Sequence, residues 1–253
     1  DFIAHLGSRA ALPLRAATSK DVRRFRDEQR AAGRAAATVN FSHKALASAF
    51  EAAKRQAYIE ANPCHAVDYL PTHDEKVEKG TFTAKEVSVL VRTVNSRDWQ
   101  GVILVGYYTG LRLSDCLSLK WGCVDLQARV LKVTPKTART GKKLEIPMSP
   151  DLEDFLLTHP VGKSETDPVF PSLTKLSVGG NRGASRQFQQ IMQAAGLVSG
   201  TLRDASGESG RAVAERSFHS LRHSYITALS SAGVAVEVRQ KLVGHSTAEQ
   251  NLH

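Results

Sequence analysis

At 253 residues, 42% of them hydrophobic, the chain can bury one large core or two modest ones, and its composition is that of a globular protein. Lysine and arginine number 34 against 25 acidic residues, a net charge of +9 that suits a polyanionic partner such as nucleic acid. Cys64, Cys116 and Cys123 are too few and too irregularly spaced for a disulfide framework or a paired zinc knuckle, and the longest apolar run, from Val102 through Val105 towards Tyr107, falls far short of the roughly 20 residues of a membrane helix.

The first elements are helical. Thr18-Ser19-Lys20-Asp21 has the form of a capping box that opens a helix through Val22 and Phe25, with Gly33 near its end. Val39, Leu46, Phe50, Ala53 and Ala57 then recur at helical spacing, and the run is expected to end at Asn62-Pro63, because the residue before a proline is pushed out of the α region. Residues 1–72 read as a small helical domain. The stretch PTHDEKVEKG, from Pro71 to Gly80, is polar and without period, so 73–80 reads as a linker and 81–253 as a second domain. A second capping box, Thr83-Ala84-Lys85-Glu86, starts a helix with the apolar stripe Val87, Leu90, Val91 and Val94.

Further along, residues 129–135 and 143–148 alternate apolar and polar side chains and read as two strands of a hairpin. A helix is expected around Phe188 to Ala195, between glycine-rich loops. The fold class is therefore mainly α with a small antiparallel sheet, as an N-terminal helical bundle followed by a mixed α/β domain.

Four segments could carry chemistry. In TGLRLSD, Arg112 stands at the start of a helix whose Leu113, Cys116 and Leu117 face inwards, so a packed scaffold holds it; an ordinary surface arginine is the competing reading. The hairpin connection carries Lys136, Arg139, Lys142 and Lys143 with no acid among them, a finger drawn towards phosphates or simply a solvated turn. In SFHSLRHSYITAL, with Phe218, Leu221, Tyr225, Ala228 and Ala232 as the expected buried stripe, His219 and Arg222 lie about 60° apart on the helix and can address one ligand together. His219 and His223 could instead begin a zinc site, but Ser220 stands where the H-E-x-x-H pattern has glutamate. In VGHSTAEQNLH, Gly244 should stop a helix and Ser246-Thr247-Ala248-Glu249 should cap another, leaving His245 at the joint.

Taken together and in this order, the segments resemble the boxes of the tyrosine recombinase (phage integrase) family: Arg112 in TGLRLSD, Lys136 on the hairpin, His219 and Arg222 in HSLRH, and His245 in GHS. The resemblance covers nearly the whole chain, with residues 1–72 similar to the family's core-binding domain and 81–253 to its catalytic domain. It implies a site-specific DNA recombinase or integrase that cuts and rejoins DNA through a 3′-phosphotyrosine, with no cofactor and no metal. Arg112 and Arg222 would clamp the phosphate, Lys136 would act as general acid, His219 as general base, and His245 would hydrogen-bond the phosphate, with Asp115 supporting the site. Arg139, Lys142, Lys143, Lys44 and Arg186 are candidate DNA contacts. The family further implies double-stranded DNA carrying a recombination site as partner, a tetramer assembled on it, no membrane, and a cytoplasmic, nucleoid-associated protein of bacterial or phage origin.

One departure concerns the nucleophile. The family's tyrosine follows the G-H-[ST] histidine by about nine residues, which falls one place past His253, and the chain begins at Asp1 rather than Met, so both ends of the sequence are expected to be cut. Tyr225, Tyr107 and Tyr108 are poorly placed to replace it. An inactive DNA-binding relative and a type IB topoisomerase-like enzyme are the alternatives.

Overall fold

The computed structural model describes residues 2–72, 80–135, 143–160, 162, 164–177, 182–197, 200–203 and 213–244. Two compact units emerge, one of Asp1–Glu78 with Thr201–Val213 and one of Lys79–Gly200 with Ala214–His253. The fold is mostly helical with a small antiparallel sheet, as its sequence predicts.

In the first unit, α1 (Phe2–Leu6) is followed by α2 (Ser19–Ala31) and α3 (Ala36–Arg55). The Thr18 hydroxyl accepts from the Asp21 amide while the Asp21 carboxylate accepts from the Thr18 amide, so the expected capping box forms. Val22 and Phe50 pack with Ile59, Cys64 and Val67 in this unit's core. The long helix stops earlier than its periodicity predicts. Gln56 caps it, and Ala57 takes a left-handed φ of 60°, so the turn away from Arg55 precedes Pro63 by several residues. Asn62-Pro63 opens a short 3₁₀ turn instead, with the Asn62 side chain accepting from the Cys64 amide.

The second unit is built around α5 (Arg97–Thr109), a helix buried along much of its length. Against it lie α4 (Ala84–Thr93), opened by the Thr83 and Glu86 capping box, and the short α6 (Leu113–Leu117). At Gly101 and Gly106 of α5 neighbours leave no room for a side chain. A Cβ at Gly101 would sit 2.3 Å from Phe170, and one at Gly106 would sit 2.6 Å from Phe218. The predicted hairpin forms from β2 (Val130–Val133) and β3 (Leu144–Pro147), paired Leu131 to Ile146 and Val133 to Leu144. Those four side chains are buried, so one face of the ladder belongs to the core. A two-residue strand, β1 (Val124–Asp125), pairs with β2 and is too short to have shown a period. Lys136, Arg139 and Lys142 of the hairpin connection lie outside the described residues.

The chain continues through α7 (Pro150–Leu157), α8 (Arg182–Ala194), a two-stranded sheet of β4 (Thr201–Arg203) and β5 (Val213–Ala214), α9 (Phe218–Ser231) and α10 (Val236–Val243). The buried face of α9 differs from the predicted stripe. Phe218, Leu221 and Ile226 are buried, but so are Ser220, Arg222 and Ser224, whereas Ala228 and Ala232 are exposed. The entry to this unit is tied to α9, because the Phe82 amide donates to the Ser224 hydroxyl at 2.7 Å and the Gly80 amide donates to the Glu215 carbonyl at 3.1 Å. Among the described residues no helix is long and apolar enough to cross a membrane.

Replacing Gly101 with alanine should force Phe155 and Phe170 apart and destabilise the second unit by about 1–3 kcal/mol. A urea unfolding curve with a lower midpoint and an unchanged slope is the expected result.

Candidate active site

Two helix ends and one buried arginine define the site. Helix α5 ends at Gly110, whose φ of 64° is left-handed and whose amide donates to the Gly106 carbonyl. Side chains other than glycine are excluded twice there, by that backbone angle and by the Tyr225 ring 2.7 Å from where a Cβ would stand. Thr109 secures the turn, its hydroxyl donating to the Val105 carbonyl at 2.5 Å and accepting from the Leu111 amide at 3.3 Å. The chain then swings into α6 with Arg112 as its N-cap residue, so the backbone of Arg112 is fixed between two helices. Helix α10 ends in the same manner at Gly244, with φ 66°.

Arg222 joins these ends. Its side chain is buried, 2% exposed, and it donates to the Gly110 carbonyl and to the Val243 carbonyl, each at 2.6 Å. Both acceptors lie at helix C-termini, where the unpaired carbonyls carry partial negative charge that favours a cation. Burial and the neighbouring charge of Arg112 still push the Arg222 guanidinium down to about 10, while Asp115 and Cys116 act in the opposite direction. It is therefore charged at neutral pH. Because that value lies well above neutrality, titration of Arg222 changes neither stability nor anion affinity between pH 5 and 8. Asp115 is buried in the first turn of α6, and its amide donates to the Arg112 carbonyl at 2.9 Å.

The predicted candidates separate into groups. Arg112 and Asp115 lie near enough to Arg222 for their charges to act on it, while its hydrogen bonds go to Gly110 and Val243. His219 is exposed on the first turn of α9, and its ring meets that of His223 edge-to-face with centroids 4.9 Å apart. Ser220, between them, is fully buried and turned back to accept from the Ser217 amide, so it completes a helix cap. Among the described residues no group of three or more metal-binding side chains gathers. Lys143 is exposed at the end of the hairpin, Lys44 is exposed on α3 and Arg186 is exposed on α8. Lys136, Arg139, Lys142, His245 and the cap predicted at Ser246 to Glu249 lie outside the described residues.

Sequence reasoning did not single out Thr109, Val243 or Ser224, which act here through hydrogen bonds rather than through a recognisable side-chain pattern. Two tyrosines of this unit are raised well above the ordinary phenol range. Burial pushes the Tyr225 phenol up to about 12, and burial together with the adjacent Asp151, to which its hydroxyl donates, raises Tyr108 further.

The model of the Phage integrase family matches residues 81–250. The chain belongs to that family. The match covers the whole arginine network of the integrase unit, from Gly110 to Val243. Curated relatives include the XerC-like tyrosine recombinase of Caldanaerobacter subterraneus subsp. tengcongensis, 24% identical over 255 residues that cover 90% of this chain and 64% of the relative. Tyrosine recombinase XerC of Lactobacillus leichmannii is 28% identical over 225 residues, covering 83% of this chain and 69% of the relative. The chain thus spans about two thirds of the length of these relatives. Among solved structures, a lambda integrase(75-356) dimer bound to a COC′ core site is similar with a TM-score of 0.70 at 20% identity, covering 100% of this chain and 87% of that one, which shows a shared fold.

Arg222→Ala should leave two helix-end carbonyls without their donor and destabilise the integrase unit by about 3 kcal/mol. Arg222→Lys, unable to reach both carbonyls with a planar fork, should fall between alanine and the parent. Urea unfolding of the three proteins checks the order.

Proposed function

We propose that this chain is the DNA-engaging and catalytic core of a site-specific recombinase that cuts and rejoins duplex DNA through a 3′-phosphotyrosine. The observation that carries the reading is the buried Arg222, held by two helix ends beside Arg112. Two guanidinium groups that repel each other in a buried setting form a site for a shared anion, and planar forks match the geometry of phosphate oxygens. Two of the five N–H donors of Arg222 serve its carbonyl partners, which leaves others for a ligand.

In this reading a tyrosine oxygen attacks the scissile phosphorus in line with the departing 5′ oxygen. Negative charge grows on the non-bridging oxygens, and Arg112 and Arg222 supply fixed positive charge where it develops. Lys136 delivers the proton to the leaving 5′ oxygen, His219 takes the proton from the tyrosine, and His245 donates to the phosphate. Asp115 supports the arginines from behind. The attack breaks the bond from phosphorus to the 5′ oxygen, which leaves as a 5′ hydroxyl, and forms a bond from phosphorus to the tyrosine oxygen, and attack by a 5′ hydroxyl of a partner strand reverses it.

The unit of Asp1–Glu78 with Thr201–Val213 acts as the core-binding domain and that of Lys79–Gly200 with Ala214–His253 as the catalytic domain. Lys143, Arg139, Lys142, Lys44 and Arg186 add phosphate contacts, so affinity falls as salt rises. The basic composition and the relatives named as tyrosine recombinases support DNA as the partner. Exchange between two sites calls for four protomers on paired DNA, in a protein that works in the cytoplasm on the nucleoid and serves a mobile genetic element.

The test uses the full-length gene product and nicked DNA that carries its recombination site. A protein–DNA band that survives denaturation should form, and Arg112→Lys should reduce its rate by about 100-fold or more with the gel-shift complex retained. An undiminished covalent band in that variant removes the role assigned to the arginine pair.

A further inference from the structure

Beyond the arginine pair, the integrase unit has a recess of about 330 Å³ lined by Asp115, Ser118, Lys120, Lys132, Thr134 and Lys143. Three lysines meet there, and the structure sorts them. Lys132 is neutralised, since its Nζ lies 2.8 Å from the Asp125 carboxylate and its ladder partner is Glu145. Lys120 and Lys143 are exposed and make no ion pair among the described residues. The carboxylate of Asp115 also lines the recess, but it is buried and its charge is engaged with Arg222.

Both unpaired lysines stand on fixed backbone. Lys120 bridges Pro168, and the backbone on either side of it is held by the same segment: the Trp121 amide donates to the Asp167 carbonyl at 3.0 Å, and the Leu119 carbonyl accepts from the Val169 amide at 2.9 Å. Lys143 directly precedes β3, one step beyond the Val133–Leu144 pair, which sets it level with Thr134. The Ser118 hydroxyl donates to the Ser114 carbonyl at 2.9 Å, and with Lys132 held by Asp125 the lysines of the recess that make no ion pair among the described residues are Lys120 and Lys143.

We propose that this recess holds a DNA backbone phosphate other than the scissile one, an assignment that rests on the recombinase reading above. Ser118 lies six positions along the chain from Arg112, the two standing at opposite ends of α6, a step on the order of 9 Å at helical rise. Consecutive phosphates of one strand advance about 3.4 Å along the duplex axis. The occupant is therefore within a few nucleotides of the bond to be cut, and Lys120 with Lys143 sets where along the strand the arginines close.

The 253-residue chain suffices for the test. Lysine acetylation read by mass spectrometry, with and without a 30-base-pair duplex, should show Lys120 and Lys143 protected several-fold by DNA while exposed Lys85 on α4 is unprotected. Lys120→Gln should also lower the slope of log affinity against log salt by about 1, and Lys120→Arg should retain it. Equal labelling of Lys120 and Lys143 in bound and free protein overturns the assignment and leaves the recombinase reading standing. Protection by millimolar inorganic phosphate alone gives the recess to a free anion and also overturns it. No DNA binding at all refutes both.

Discussion

A charged side chain placed in a protein interior is tolerated only where its surroundings are polarised to receive it. Arg222 meets that condition through the carbonyls of Gly110 and Val243, at the C-termini of two separate helices. Each acceptor depends on a left-handed glycine that ends its helix, so Gly110 and Gly244 matter to the charge as much as to the backbone. The same two bonds also fix α9 relative to α5 and α10. Support of the fold and orientation of the guanidinium are thus one arrangement, and a change that disturbs either disturbs both.

The electrostatics follow from that placement. Arg112 sits on the N-cap of α6, two residues after the glycine whose carbonyl Arg222 holds, and the repulsion between the two side chains is only partly offset by Asp115. What remains is an excess of positive charge around Arg222, held on a backbone that the two helix ends keep in place. The hairpin lies on the same unit, and its end with Lys143 widens the basic surface towards Lys120.

Much of this was legible in sequence where the signal is local. The boxes at Thr18 to Asp21 and Thr83 to Glu86 need only the spacing of two side chains around one backbone turn, and both form. The alternation that marks the hairpin is equally local. Arg222 was legible as a functional candidate but not as a buried one, because periodic patterns assign the interior to apolar side chains and its acceptors are backbone atoms 112 and 21 residues away. Ala228 and Ala232 failed for the complementary reason: small apolar residues continue a stripe on paper beyond the point where α9 has anything to pack against. The early stop of α3 at Arg55 reflects the left-handed Ala57, which no propensity would have suggested.

The bond from the Phe82 amide to the Ser224 hydroxyl spans 142 residues, and the partners of Arg222 lie on both sides of it in the chain. Contacts so remote in sequence close late, after local helices and the hairpin are in place. During synthesis, a nascent chain that has emerged only as far as α8 already displays Arg112 and the basic hairpin, yet has no second guanidinium to pair with. The tie between the two helix ends thus arrives only with α9 and α10, and a polypeptide interrupted before them lacks the buried arginine that makes it.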